Sequence, residues 1–301
     1  MLKPVSPEFK TYLETILPPA AFPEMSEKYL TEPRGRYQGI AGILVAPDGA
    51  DQVSKVISAA AQAAIGVIPY GGGTGLVGGQ LLPSSRGAVP APIIISLSRM
   101  RKIRSCHSEE NVLVVEAGVT LSEAKAEALN VKRLFPLSLT SEGTAQIGGI
   151  LATNAGGVNV LRYGMARDQV LGIEAVMADG QILKGLKRLR KDNTGYDLRH
   201  LLIGSEGTLG IITAASLKLV ARPSNEGTAF LAVESPTSAL AFLSRAQEVL
   251  GDSISAFELI SAQALKFISE KFPQMRQPWP KPPEWSVLLH LGLSGGQRSE
   301  K

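Results

Sequence analysis

Six of the eleven residues from 69 to 79, Pro-Tyr-Gly-Gly-Gly-Thr-Gly-Leu-Val-Gly-Gly, are glycine, and they follow an apolar run directly. Glycine tolerates φ > 0 and lets main-chain N–H groups approach a ligand with no Cβ in the way. Consecutive N–H groups presented like this form a concavity for an anion, the usual cradle of a pyrophosphate. Gly73, Gly75 and Gly78 fit the spacing G-x-G-x-x-G. Their surroundings do not suit a Rossmann turn, which opens a helix and is followed about 20 residues on by an acid for the ribose. Residues 80–87, Gln-Leu-Leu-Pro-Ser-Ser-Arg-Gly, cannot start a long helix, and the next Asp or Glu is Glu109. A P-loop is excluded as well, because no Gly-Lys-Ser/Thr follows.

Two further segments are similar in kind. Residues 135–149 place the hydroxyls of Thr140, Ser141 and Thr144 beside glycine pairs, and Ile-Leu-Ala-Thr-Asn-Ala-Gly-Gly follows at 150–157. Such short polar side chains and bare N–H groups suit a planar polar ring or a ribityl chain. Residues 204–213, Gly-Ser-Glu-Gly-Thr-Leu-Gly-Ile-Ile-Thr, form a glycine turn entering a strand, suited to bringing backbone beside an aromatic base. Taken singly, either segment also fits a turn with a tightly packed glycine. Three such loops in one domain fit an extended dinucleotide, which needs backbone contacts along its length. The histidines offer less. His107, His200 and His290 are solitary, with no metal-ligand spacing, so no metal site and no catalytic residue is assigned. Arg162, Arg190, Lys191 and Asp197 sit in loops and serve either a ligand or a solvated face.

The elements that position these loops are legible in outline. Residues 1–33 read as a helical arm broken by Pro18, Pro19 and Pro23. A strand at 43–46, a helix started by Asp48 or Asp51 and running to about Ala64, and a strand at 67–70 make a βαβ unit feeding the first glycine loop. Strands are expected at 93–97 and 102–107, the latter paired with 112–117 across Ser-Glu-Glu-Asn. Thr120 and Glu123 make a capping box for a helix over 121–130. Asp179-Gly180 marks a hairpin between 169–178 and 181–184. After a strand at 211–220, residues 221–225 read as a linker. Strands at 228–233, 253–259 and 285–293, with helices near 236–250 and 261–271, then give the order β-α-β-α-β of an incomplete ferredoxin-like sheet.

With 301 residues the chain suits about two domains. The net charge of +4 and the pI near 9.1 are too mild to argue for nucleic acid, while an anionic cofactor or acidic substrate accounts for them. Cys106 is the only cysteine, which excludes an internal disulfide and suits a reducing compartment. No window of 18 continuous apolar residues marks a transmembrane segment, and the first residues carry no apolar signal core. A cytoplasmic protein is expected, with peripheral membrane association left open.

The order of the motifs at 69–79, 146–157, 162–164 (Arg-Tyr-Gly), 190–198 (Arg-Lys-Asp-Asn-Thr-Gly-Tyr-Asp-Leu) and 204–213 resembles the FAD-linked oxidases of the vanillyl-alcohol oxidase, or p-cresol methylhydroxylase (PCMH), superfamily. Within it the chain is most similar to the group of D-lactate dehydrogenase, D-2-hydroxyglutarate dehydrogenase and glycolate oxidase. The likeness is dense over about 33–222 and loose elsewhere. It implies an α+β fold: an arm at 1–32, a PCMH-type FAD-binding domain of two α/β subdomains at 33–222, and a partial ferredoxin-like cap domain at 223–301.

The resemblance implies that Pro69, Tyr70, Gly71, Gly72, Gly73, Thr74 and Gly75 wrap the FAD pyrophosphate. Thr140, Ser141, Glu142, Gly143, Thr144, Ala145 and Gln146, with Thr153, Asn154, Ala155 and Gly156, would line the flavin and its ribityl-phosphate side. Glu206, Gly207, Thr208, Leu209, Gly210, Ile211 and Ile212 would contact the far portion of the cofactor. Many relatives attach FAD covalently through a His of the first loop; here Gly73 occupies that place and Cys106 lies in no motif, so FAD is expected to be non-covalent. The implied chemistry is hydride transfer from a 2-hydroxy acid to flavin N5, with an unidentified electron acceptor.

In the hydroxy-acid group a His-x-His-type metal and base cluster, plus basic residues for the carboxylate, is implied in the C-terminal part, and this chain lacks that pattern. The expectation is a chain truncated before those motifs and inactive alone. Other members of the fold, alkylglycerone-phosphate synthase-like or acetylenolpyruvylglucosamine reductase-like, are the alternatives within the enzymes, and Thr-Gly-Leu-Val-Gly-Gly at 74–79 argues against both. A non-catalytic FAD-binding subunit that needs a C-terminal partner chain is the alternative outside them.

Overall fold

The structure, a computed structural model, describes residues 1–84 and 89–293; residues 85–87 of the stretch that refuses a helix, and the tail at 295–301, lie outside the described residues. The backbone forms two compact units. The first comprises Met1–Phe135, Thr140–Ala155 and Ala166–Val220; the second takes in Pro136–Leu139, Gly156–Met165 and the chain from Ala221.

In the first unit helix α1 (Pro7–Ile16) starts where Ser6 accepts a hydrogen bond from the Phe9 N–H, with Pro7 at the first position. Leu13, Leu17 and Ala21 enter one core with helix α2 (Ala50–Ala63) and with the strands β1 (Ile43–Val45), β2 (Val67–Tyr70) and β3 (Ile93–Ser96). All three strands are parallel, in the order β1-β3-β2. The expected βαβ unit is therefore split, with β3 lying between its two strands. Burial agrees with the placement: the centre of a parallel sheet is covered on both faces, and Ile93, Ile94 and Ile95 are all but fully buried, whereas Val67, Ile68 and Pro69 of β2 are half-buried and Ile43 of β1 keeps some exposure. Neither Asp48 nor Asp51 caps α2. Gly49 holds the N-cap without a side-chain bond, Asp48 is drawn to Arg99 at 3.1 Å, and Asp51 sits in the first turn, where its charge favours the helix dipole.

The second half of this unit is a five-stranded sheet of β4 (Ile103–His107), β5 (Val112–Glu116), β7 (Val170–Met177), β8 (Ile182–Gly185) and β9 (Gly210–Lys218), ordered β4-β5-β9-β7-β8; β6 (Arg133–Leu134) is a two-residue strand. Its pairs are antiparallel, and both expected hairpins, β4/β5 and β7/β8, form. Helix α3 (Leu121–Asn130) starts with both halves of its capping box in place. Short helices α4 (Ile147–Ala152) and α6 (Leu198–Leu202) complete the unit.

A polar network ties four neighbouring strands of this sheet together. Arg104 on β4 donates Nη1 and Nη2 to the two oxygens of Glu174 on β7 at 3.1 and 2.9 Å, and its Nε lies 3.4 Å from Glu116 on β5. Thr213 on β9 donates to Glu174 at 2.9 Å. Burial works against the Arg104 charge, but the two carboxylates hold its pKa above the usual value.

In the second unit, α5 (Val160–Tyr163) precedes the linker strand β10 (Val220–Ala221), and then β11 (Asn225–Val233), α7 (Pro236–Leu250), β12 (Ile254–Ser261), α8 (Ala262–Lys271) and β13 (Trp285–Leu293) follow. The sheet is antiparallel, ordered β11-β13-β12. Phe242, Leu243 and Ala246 of α7 pack on Ala229, Phe257, Leu289 and Leu291. Strand β11 starts at Asn225, inside the expected linker, because Asn225, Glu226 and Gly227 pair in register with Leu293, Gly292 and Leu291. Ladder pairing overrides the turn preference of Asn and Gly.

Replacing Arg104 with Leu leaves two carboxylates facing each other without their cation. The expected loss is about 2 kcal/mol, in the range for charged hydrogen bonds, read as a lower urea midpoint with unchanged slope. Arg245→Leu, which removes only an exposed pair with Glu248, should stay within about 0.5 kcal/mol.

Candidate functional site

The first glycine loop leaves β2 at Tyr70, whose buried ring packs on Tyr29 at 4.8 Å and whose hydroxyl donates to the Lys28 carbonyl at 2.6 Å. Burial, with Tyr29 beside it, pushes the Tyr70 phenol up to about 12, so it stays neutral at any physiological pH. The three glycines that follow leave no room for side chains. A Cβ on Gly71 would lie 3.3 Å from the Gly149 Cα; on Gly72 it would lie 2.9 Å from the Thr144 carbonyl carbon and closer still to its oxygen. Gly73 has φ +73, and a Cβ there would strike the Tyr70 hydroxyl. Gly75 is different: its Cβ would meet only the Gln80 side chain, at 3.6 Å. Gln80 Nε2 donates to the Gly73 carbonyl at 3.2 Å and braces the loop from its far end.

Two clefts of the first unit share Tyr70 and Gly71. One, of about 100 Å³, is lined by the apolar Pro69, Leu97, Ile211 and Ile212 together with Gly148, Gly149, Thr153 and Glu206. The other, of about 640 Å³, is polar: Gly72, Gly73, Ser96, Ser98, Thr120, Thr144 and Gln146 line it with most of residues 27–33 of the N-terminal arm. Joined, they suit an elongated ligand with an aromatic end and a hydrogen-bonding end. Gln146 Oε1 is buried there without a hydrogen-bond partner among the described residues, an acceptor that a ligand N–H or O–H would satisfy. Glu206 holds φ 51, uncommon outside glycine, and Gly207 beside it has φ +77, where a Cβ would run into the Pro69 ring.

The residues singled out in the sequence divide accordingly. Pro69, Tyr70, Gly71, Gly75, Thr153, Glu206, Gly207, Gly210, Ile211 and Ile212 line the first cleft, and Gly72, Gly73, Gly143, Thr144 and Gln146 the second. Thr74 lines neither. Thr140, Ser141, Glu142 and Ala145 also stand outside: Ser141 accepts from the Thr144 and Ala145 N–H groups, and Lys125 holds Glu142 at 2.7 Å. Asn154, at φ 48, accepts from the Arg167 N–H, and Ala155 bonds through its backbone to Ile150 and Ala166. Gly156 belongs to the second unit, against Met165. Thr208 and Leu209 open into a separate cleft beside Ile57 and Ala60.

Several lining residues escaped the sequence reading. Ser96 and Ser98 sit at the C-terminal end of a central parallel strand, where ligands of open α/β sheets bind, so the rule was available. Residues 27–33 carry no such signal.

Of the remaining polar candidates, Arg162, Asp197 and the histidines have local partners. Arg162 donates to the Gly292 carbonyl and lies over the Tyr163 ring. Asp197 caps α6 by accepting from the His200 N–H at 3.1 Å and pairs with Arg199 at 2.6 Å; Arg190 and Lys191 are exposed. His107 lies 3.0 Å from the Ser105 hydroxyl, His200 lies 3.5 Å from Asp197, and His290 lies 2.6 Å from the Ser255 hydroxyl. Among the described residues no three His, Cys, Asp or Glu side chains gather as a metal site.

With the cleft geometry in place, residues 41–185 match the family described as FAD binding domain. The chain is 37% identical to the mitochondrial D-2-hydroxyglutarate dehydrogenase of Rattus norvegicus, over 88% of this chain and 48% of the relative. It is likewise 37% identical to the mitochondrial D-2-hydroxyglutarate dehydrogenase of Arabidopsis thaliana, over 84% and 44%. Against the D-2-hydroxyglutarate–pyruvate transhydrogenase of Saccharomyces cerevisiae it is 32% identical, over 88% and 52%. The chain thus spans about half the length of the curated relatives it matches. A solved alkyldihydroxyacetonephosphate synthase shares the fold, with a TM-score of 0.78 at 20% identity over 98% of this chain and 57% of that one.

The cytoplasmic setting expected from the sequence is corrected by these relatives, two of which are named as mitochondrial. A single cysteine excludes a disulfide but does not tell one reducing compartment from another. Among the described residues no helix is long and apolar enough to cross a membrane.

Two glycines separate folding from binding. Gly75→Ala adds a methyl group to open cleft space and should leave the melting temperature unchanged while weakening FAD binding about tenfold, or roughly 1.4 kcal/mol. Gly207→Ala should lower the melting temperature, since it meets both a left-handed φ and the Pro69 ring. Thermal melts paired with flavin-fluorescence titrations distinguish the two.

Proposed function

We propose that the joined clefts hold FAD and that the chain serves oxidation of a small 2-hydroxy acid of the D-2-hydroxyglutarate, D-lactate or glycolate kind. The observation that carries the reading is the side-chain-free cradle at Gly71, Gly72 and Gly73, with Gln146 Oε1, unpartnered among the described residues, beside it, in a stretch that matches the FAD binding domain family. In this reading the N–H groups of residues 69–75 take the pyrophosphate. Thr144, Gln146 and Thr153 take the ribityl and flavin side, and residues 206–212 take the far portion. When bound, the flavin supplies a hydride acceptor at N5.

The chain's own part is to bind, orient and neutralise. The loop amides present partial positive charge to the phosphates. Tyr70, neutral and bonded to Lys28, keeps the loop in its left-handed turn without placing a negative charge beside them. FAD is held without a covalent bond, because Gly73 offers no nucleophile and Cys106, whose thiol is pushed up by burial, lines neither cleft.

A second reading is a flavin-binding chain that turns over only with a partner polypeptide supplying the base and metal ligands. It is favoured by the histidines, none of which gathers with other His, Cys, Asp or Glu side chains into a metal-type cluster among the described residues.

Acid precipitation of the FAD-loaded chain should release all the yellow absorbance into the supernatant; flavin in the pellet would contradict non-covalent binding. Gly73→Val should abolish FAD uptake, and uptake like that of the parent would remove the loop from the site. Anaerobic addition of D-2-hydroxyglutarate, D-lactate and glycolate then separates the two readings. Bleaching of the flavin by the chain alone supports the enzyme. Bleaching only after the polypeptide covering the other half of a relative is added supports the partner-dependent chain.

A further inference from the structure

Residues 184–201 hold six of the chain's 31 Lys and Arg residues but two of its 27 Asp and Glu residues. This one segment therefore carries the whole net charge of +4, and the rest of the chain balances 25 cations against 25 acids. The segment is also unusually apolar for a basic surface. Leu189, Tyr196 and Leu201 are 63%, 96% and 60% exposed, where side chains of these types are ordinarily covered.

A cleft of about 200 Å³ in the first unit is walled by the same segment. Leu171, Ile173 and Leu183 give it an apolar lining, and its charged groups are Lys184, Lys187, Arg199, Asp192 and Asp197, with Asp192 paired to Lys187 and Asp197 to Arg199; Tyr196 adds an aromatic face. Arg199 is fixed in place: Nη1 donates to the Val170 and Leu171 carbonyls at 3.0 and 2.9 Å, and Nη2 to Asp197 at 2.6 Å. Its Nε is buried with no hydrogen-bond partner among the described residues, a donor that an incoming oxygen would satisfy. The Lys184 ammonium has no ion-pair partner among the described residues.

These features call for a ligand that is anionic and apolar together and that enters a concavity. A bilayer meets exposed side chains but is flat on this scale. An extended protein segment alternating acidic and apolar side chains presents both chemistries to the cleft and its basic surroundings. We propose that this face docks such an acidic, apolar-bearing segment of a partner protein. A carboxylate lies toward Lys184 and Arg199, and apolar side chains meet Tyr196 and the lining around Leu183. The proposal goes beyond the flavin reading and does not rest on it.

The full chain, with and without added FAD, is titrated with a fluorescein-labelled peptide of alternating Glu and Leu and with its Lys-Leu counterpart, followed by anisotropy. Saturable binding of the Glu-Leu peptide alone is expected, weakened about tenfold by Lys184→Glu and on raising salt from about 50 to about 300 mM. Tyr196→Ala should weaken it about threefold through lost apolar contact, and both variants should keep the parent's melting temperature. Equal binding of the two peptides, or variants that bind like the parent, would overturn the proposal. So would a parent that ignores the peptide but sediments with phosphatidylcholine vesicles containing about one third phosphatidylserine, an outcome that would make the face a membrane surface.

Discussion

The backbone of Gly72 lies so close to the Thr144 carbonyl that no Cβ fits between them, and the rest of the site follows from that approach. It brings the loop after a parallel strand against the turn that precedes α4, two segments separated by some seventy residues of sequence. A Cβ on Gly71 would likewise lie 3.3 Å from the Gly149 Cα. Two chain segments this close leave no room for side chains between them, and bare backbone of this kind suits an extended anion. Neighbouring glycines have other duties. Gly207 and Gly73 satisfy a left-handed backbone, whereas Gly75 leaves room.

Tyr70 is the post around which the loop turns. Its ring closes the floor with Tyr29, its hydroxyl ties the N-terminal arm through Lys28, and the same hydroxyl fills the space that a side chain at 73 would need. A phenol with a pKa near 12 performs these tasks without charge. The arm is consequently a wall of the second cleft, with Glu32 buried and accepting from the Arg34 and Arg36 N–H groups at 2.9 Å each. Burial works against that carboxylate's charge, but the two backbone donors hold its pKa below the usual range, so it stays ionised near neutrality.

What could be read in the sequence was governed by short-range chemistry. The turn at Asp179-Gly180, the four residues between β4 and β5, and the reciprocal bonds of Thr120 and Glu123 depend on neighbours within a few positions, and each forms as expected. The order β-α-β-α-β after residue 225 follows from alternating apolar patterns in the same way. What depended on distant partners was hidden. Nothing local says that 93–96 inserts between β1 and β2, that Asp48 pairs with Arg99 instead of capping α2, or that residues 27–33 line a cleft. Glycine spacing located the loops but did not separate the glycines that pack from those that face open space. Asn154 and Ala155, which the resemblance implies, make internal bonds.

The central claim is that FAD lies along the backbone of the first glycine loop and between it and residues 206–212. Hydrogen–deuterium exchange of the full chain with and without FAD measures those amides directly. The account requires FAD to slow exchange at 71–75 and 206–212 together, with residues 27–33 protected through the Tyr70 tie. FAD binding with unchanged exchange at 71–75, or protection confined to other segments, would contradict it.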